Sequence, residues 1–146
     1  MIPSNSQIRF FFLARNISLK DRGGLKTFLF RLLKREGKSI KNINFIFCSD
    51  EYLLQMNKDY LKHDYYTDII AFDLSESDSA ISAEIYVSVD RIRDNASIER
   101  TPISRELHRV IFHGLLHLCG YKDKSKKDIS VMREKEEHYL EEYFKR

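Results

Sequence analysis

The stretch "VIFHGLLHLCGYKD", Val110 to Asp123, decides how the remainder of the chain must be arranged. Read as a helix through Cys119, it is apolar around nearly its whole circumference, and a helix without a polar face is buried on all sides. Thr101 and Pro102 predict its start: a hydroxyl able to cap free amides, then a ring already set to helical φ. Gly120 predicts its end, as the residue that accepts the left-handed backbone of a helix C-terminus. Such a helix lies at the centre of a domain, so the other segments must form layers around it.

Within that helix His113 and His117 stand four residues apart, about 40° around the axis, and both rings project from one face. An imidazole in apolar surroundings leaves ring nitrogens in need of partners. A shared metal ion satisfies one nitrogen of each, and the break at Gly120 lets the chain fold back so that Asp123 reaches the same point. Two histidines and a carboxylate leave the fourth position of tetrahedral zinc open, the pattern of a catalytic site and not of a closed structural one. One zinc ion per chain is expected at His113, His117 and Asp123. Peptidases of the HExxH type carry a glutamate after the first histidine as general base; here that residue is Gly114, which argues against their route. Zinc still lowers the pKa of bound water to about 7, and hydroxide with an electrophilic centre suffices for phosphodiester cleavage. The same ligands suit ferrous iron in an oxygenase site, but no cosubstrate motif accompanies them.

The flanking segments supply the strands and the other helices. "QIRFFFLA" (Gln7–Ala14) is rich in aromatic and branched side chains bounded by polar ones, as a strand is. Leu25, Phe28, Leu29, Leu32 and Leu33 fall at helical spacing, preceded by Gly23 and Gly24 and stopped by Gly37. "INFIFCS" reads as a central strand covered on both faces, after which Ser49 and Asp50 cap a helix whose inner face is Leu53, Leu54 and Met56. "TDIIAFDL" and "ISAEIYVSVD" form an antiparallel hairpin across "SESDSA". In the second strand Ile81, Ala83, Ile85, Val87 and Val89 alternate with polar residues, marking one wet face. Asp90 caps a helix through Asn95 and Ala96. Ser125 opens a last amphipathic helix with Ile129, Met132, Tyr139, Leu140, Tyr143 and Phe144 on its inner side. This order predicts one α+β domain over residues 1–146, a small mixed four-stranded sheet packed by about five helices segregated to one side.

Composition agrees with a soluble folded domain: 146 residues, 42% hydrophobic and 32% charged. The longest apolar run near the N-terminus, Phe10 to Ala14, is too short to cross a bilayer, which predicts a cytoplasmic protein with no membrane partner. Cys48 and Cys119 are far apart without a CxxC pair, so free thiols are expected. The net charge of +3 is compatible with a polyanionic partner without demanding one. Lys20, Arg22, Lys26, Arg31, Lys34, Arg35, Lys38 and Lys41 read as the solvated face of an amphipathic helix and its flanks. Lys122, Lys124, Lys126 and Lys127 follow the histidine motif directly and are the nucleic-acid-binding candidates, with Tyr65, Tyr66 or Tyr121 available to stack on unpaired bases.

At these residues the chain resembles the YbeY family of bacterial rRNA-maturation endoribonucleases, whose signature runs HGxLHLxGYDH; "HGLLHLCGYKD" matches it closely. "MNKDYLKHDYYTDIIAFD" is similar to the family segment LNxxYRxxDxPTDVLSF, and "AEIYVSVD" to its GDIxIS strand. The resemblance implies a zincin-like metal site and single-strand-specific, metal-dependent cleavage in small-subunit rRNA 3′-end maturation and ribosome quality control. It also implies partners: rRNA, the small subunit and its proteins, and a ribosome-assembly GTPase. Three positions depart from the pattern. Asp123 stands where the family has a third histidine, so a charged oxygen replaces a neutral imidazole and makes manganese or another oxygen-preferring divalent ion more acceptable beside zinc. Leu61 stands where an arginine assists catalysis, leaving Lys62 or His63 for phosphate contact. Ala83 and Glu84 replace the glycine and acid of GDI, and Glu84 is expected to support the site more than to act as general base. No catalytic group is assigned beyond the metal-bound water. Two rival readings follow: a ribosome-assembly factor that binds RNA around a structural metal, and a metallohydrolase of small substrates.

Overall fold

The computed structural model describes residues 7–78 and 80–145. Four strands and five helices follow in the order β1 (Ile8–Phe12), α1 (Arg22–Arg35), β2 (Ser39–Cys48), α2 (Asp50–Leu61), β3 (Ile69–Asp73), β4 (Ala80–Ser88), α3 (Val89–Glu99), α4 (Ile103–Leu118) and α5 (Lys126–Lys145). The expected α+β class and four-stranded mixed sheet are present, with strand order β1-β2-β4-β3. β1 and β4 run parallel to β2, and β3 closes the sheet as the antiparallel partner of β4, with Ala71 opposite Ile85.

Strand alternation sorts the side chains. Phe45, Phe47, Ala83, Ile85 and Val87 face one side and form the main core with α1, α3, α4 and α5. Ile70, Phe72 and Tyr86 face the other, where they meet Leu53 and Met56 of α2. The helices are therefore not all on one side. Ile70 and Phe72 are as apolar as their neighbours Ile69 and Ala71, so β3 needs cover on both faces, and α2 supplies it. The expected wet face of β4 is half-covered for the same reason, with Tyr86 stacked on Tyr52 at 6.4 Å between centroids.

Several helix starts differ from expectation. Gly23 and Gly24 lie inside α1, because Asp21 adopts a left-handed backbone (φ 53°) and its side chain caps Gly24 N–H at 3.1 Å. A Cβ at Gly24 would meet that carboxylate at 2.3 Å, so a larger residue there would displace the capping side chain. Ser49 alone caps α2; the Asp50 carboxylate instead accepts from Ser88 and Arg91. Ser88, not Asp90, caps α3, and Asp90 accepts from the Asp50 amide. Pro102 is itself the N-cap of α4 and has no side-chain oxygen to offer, so the helix begins without a side-chain cap, one residue later than expected, while the Thr101 amide closes α3 on the Ala96 carbonyl. Ser125 accepts from the Asp128 amide at the head of α5 as expected.

α4 comes close to the sheet at Gly114, where an added Cβ would stand 2.7 Å from Ile69 and 3.3 Å from Ile85. This close approach sets the helix down on the β3–β4 hairpin and turns the next side chains, His113 and His117, to the edge of the sheet. Both cysteines are free, and burial pushes each thiol up to about 12, so neither is a thiolate. Among the described residues no helix is long and apolar enough to cross a membrane.

Candidate metal centre

His113 and His117 converge as the helical spacing demands, and the chain reverses at Gly120 (φ 105°) to bring Asp123 beneath them. Asp123 Oδ2 lies 3.2 Å from His117 Nε2 and 3.4 Å from His113 Nε2, and the potential ligand atoms of the three residues lie within 4.8 Å of one another. The opposite ring nitrogens are both engaged. His113 Nδ1 is 2.5 Å from Glu136 Oε2, and His117 Nδ1 is 2.9 Å from the backbone carbonyl of Tyr121. An ionised carboxylate and a carbonyl only accept, so each Nδ1 must carry the hydrogen. In its neutral form each ring then turns an Nε2 lone pair toward the Asp123 carboxylate oxygen. Three electron-rich atoms facing one another repel unless a cation stands between them, and the donor set fits a divalent ion.

The centre opens into a cleft of about 510 Å³ lined by His113, His117 and Asp123 on one side and by Leu61, His63, Tyr65 and the start of β3 on the other. Exposure rises from His113 at 14% to Asp123 at 41% of the side chain, so the ligand set is held from inside and approached from outside. Asn57, itself buried, anchors the far wall: its side-chain amide donates to the Tyr65 carbonyl at 2.9 Å, and its own carbonyl accepts from the His63 amide. His63 and Tyr65 stack at 5.1 Å, with 55% of Tyr65 exposed.

Other predicted residues fall in different places. Lys124 lines the cleft, while Lys122, Lys126 and Lys127 are exposed on the adjoining loop and first turn of α5. Lys62 ends α2 in a left-handed conformation (φ 59°) and is exposed outside the cleft lining; His63 is inside it. Glu84 sits on the α2 side of the sheet, opposite Phe72 and accepting from the Tyr86 hydroxyl at 3.3 Å. Strand alternation thus separates it from the histidines by the thickness of the sheet, which rules out contact with the centre. Tyr66 is held by Glu51 and lies against Arg91, and Tyr121 donates to Glu36 at 2.8 Å, so neither lines the cleft.

Sequence reasoning missed the back of the centre. Arg109, one turn before His113, contacts Glu106 at 2.7 Å, Glu136 at 3.2 Å and Asp68 at 3.4 Å. Burial raises the Glu136 carboxyl, but the hydrogen bond from His113 and the charge of Arg109 outweigh it and hold the group below the usual carboxylate range. Burial likewise lowers Arg109, and the carboxylates around it more than restore its charge. The signal for Glu136 was present: it falls four residues after Met132 and four before Leu140, an acid on the buried stripe of α5, where an ionised group needs a partner.

An α+β domain presenting two imidazoles and a carboxylate from one helix and its reversal, open to a cleft, has the form of a metal-binding catalytic domain. The endoribonuclease YbeY family model matches residues 20–144, and the chain belongs to that family. The endoribonuclease YbeY of Cytophaga hutchinsonii is 53% identical over 122 residues, covering 84% of this chain and 85% of the relative. That of Porphyromonas gingivalis is 51% identical over 106 residues, covering 73% and 70%. The solution structure of the Thermotoga maritima protein TM1509 superposes with a TM-score of 0.63 at 29% identity, covering 94% of this chain and 89% of that one.

Proposed function

We propose that this chain is a metal-dependent endoribonuclease acting on single-stranded RNA, with His113, His117 and Asp123 as the ligands of one divalent ion. A zinc or manganese ion held there supplies Lewis acidity and a source of hydroxide near neutral pH. The chain's own residues do the rest. Glu136 and the Tyr121 carbonyl hold the two rings with Nε2 forward. Lys124 draws a phosphate into the cleft, and Lys122, Lys126 and Lys127 extend that attraction along the strand. Such cations read no sequence. An unpaired base has one exposed aromatic surface inside the cleft on which to stack, the Tyr65–His63 pair, so Tyr65 takes the role that Tyr66 and Tyr121 cannot. The physiological setting we assign is the cytoplasm, in small-subunit rRNA 3′-end maturation and ribosome quality control, alongside subunit proteins and an assembly GTPase.

The observation that carries this reading is the convergence of both Nε2 atoms and a carboxylate oxygen on one point facing a cleft with a stacked aromatic wall. The test incubates purified protein with single-stranded rRNA fragments, with and without chelator. Cleavage is expected to require metal and to disappear in His117→Ala. Four phosphate contacts predict an affinity that falls with a log–log salt slope of about −3. Metal uptake without any cleavage by the wild-type chain would instead favour the RNA-binding assembly factor, and turnover of small esters without RNA would favour the small-substrate hydrolase.

A further inference from the structure

The two histidines of the centre are not held alike. His117 rests on a neutral backbone carbonyl, whereas His113 rests on the carboxylate of Glu136, which is 2% exposed. We propose that Glu136 is the positioning residue of the centre: pinned by Arg109, its carboxylate keeps His113 in the Nδ1–H tautomer and aims the Nε2 lone pair at the shared ion. This rests on the reading of His113 as a ligand.

Two features of the geometry carry it. The first is directional. Glu136 Oε2 takes the His113 hydrogen at 2.5 Å while Oε1 takes an Arg109 Nη1 hydrogen at 3.2 Å, so the carboxylate is fixed at both ends and cannot turn to offer the ring anything but an acceptor. Imidazole free in water favours hydrogen on Nε2, which would block coordination; the buried acceptor reverses that preference. The second is charge. A single guanidinium, Arg109, is surrounded by Glu106, Glu136 and Asp68, and Glu106 and Glu136 are both buried. Two negative charges in that cluster are left without an equal, and Glu136 delivers one of them directly to the back of His113. Negative charge behind a ligand ring strengthens its donation to a cation at the front. The cluster reaches the cleft as well, since Asp68 lines it.

The test uses nitrogen-15 NMR of the metal-free full-length chain at a pH where both rings are neutral, beside zinc titrations against a competing chelator. In the wild type both His113 and His117 are expected as the Nδ1–H tautomer. In Glu136→Ala, His113 should shift toward Nε2–H while His117 stays unchanged, an internal control for general loosening, and the zinc dissociation constant should rise by about 10–100-fold. Glu136→Gln removes the charge and has one oxygen where the carboxylate had two, so with that oxygen on the ring it gives up the acceptor for Arg109; it should retain the His113 tautomer and still weaken zinc by about tenfold. Should Glu136→Ala fail to fold, the Gln variant still decides: zinc affinity within twofold of the wild type would overturn the proposal. So would a His113 tautomer unmoved in Glu136→Ala. Failure of the wild-type chain to take up zinc would overturn the reading of the centre itself, and the tautomer measurement, which uses no ion, separates that failure from failure of the positioning role.

Discussion

Asp123 is the residue on which the chemistry of this centre turns. It brings a charged oxygen to a pair of imidazoles, from a loop whose reversal is itself fastened by the His117 Nδ1–H bond to the Tyr121 carbonyl. The loop reversal and the placement of Asp123 therefore support each other. Asp123→Ala should weaken zinc affinity by more than the roughly 10–100-fold typical of an outer hydrogen-bond partner, so that elemental analysis of the purified variant finds well below one ion per chain. Asp123→His should shift preference from manganese toward zinc in competition titrations, because imidazole is the softer donor. Across the cleft, Tyr65 offers a stacking face worth about 1–3 kcal/mol per base. Tyr65→Ala should raise KM for single-stranded RNA about tenfold or more with kcat little changed, while Tyr65→Phe, which keeps the ring and loses only the hydroxyl contact to His63, should behave as the wild type.

At the scale of elements, α4 is where fold and site are the same object. Gly114 lets the helix approach Ile69 and Ile85, and His113 and His117 flank that contact, so the depth at which α4 seats on the hairpin sets where the rings stand. Gly114→Val should destabilise the chain by about 1–3 kcal/mol, because overpacking against Ile85 and the β-branched side chain's poor helix fit exceed the loss of glycine's flexibility. A shift in the urea midpoint at unchanged slope would show it. α4 was legible in the sequence because its burial is written in composition, and the histidine spacing follows from helical geometry alone. The caps were not. Asp21 rather than the glycines starts α1, and Ser88 rather than Asp90 starts α3, because a short polar residue next to another gives no local reason to choose between them. The place of α2 on the far face, and with it the isolation of Glu84, depends on which strand is central, and that pairing is set by contacts distant in sequence. Glu136 was legible in principle as an acid on an apolar stripe, but its partner lies 23 residues away on another helix.

For the molecule as a whole, the elements around the sheet are joined by a half-buried carboxylate that takes no part in the candidate metal centre. Glu36, at the C-terminal end of α1, accepts from the hydroxyls of Tyr121 at 2.8 Å and Tyr139 at 2.5 Å and from Lys135 at 3.3 Å, tying α1 to α5 and to the loop that carries Asp123. Burial raises its carboxyl, but the two hydroxyls and the lysine together overcome that and leave it below the usual range. A carboxyl depressed in the folded state binds fewer protons than in the unfolded chain while the pH lies between the lower folded value and the unfolded value of about 4.3. Its contribution to stability is thus fully present above that value and is lost as the pH falls through the lower folded one. Glu136 acts with the same sign, so the wild-type chain should lose stability steeply on acidification. Glu36→Gln removes one titrating group and leaves an amide able to accept from only part of the triad. It should be less stable than the wild type at neutral pH, and its acid limb should be shallower, so that the two urea-denaturation curves approach each other as the pH drops below about 4. Parallel limbs would show that Glu36 titrates alike in both states and that the tie between α1, α5 and the Asp123 loop rests on packing alone.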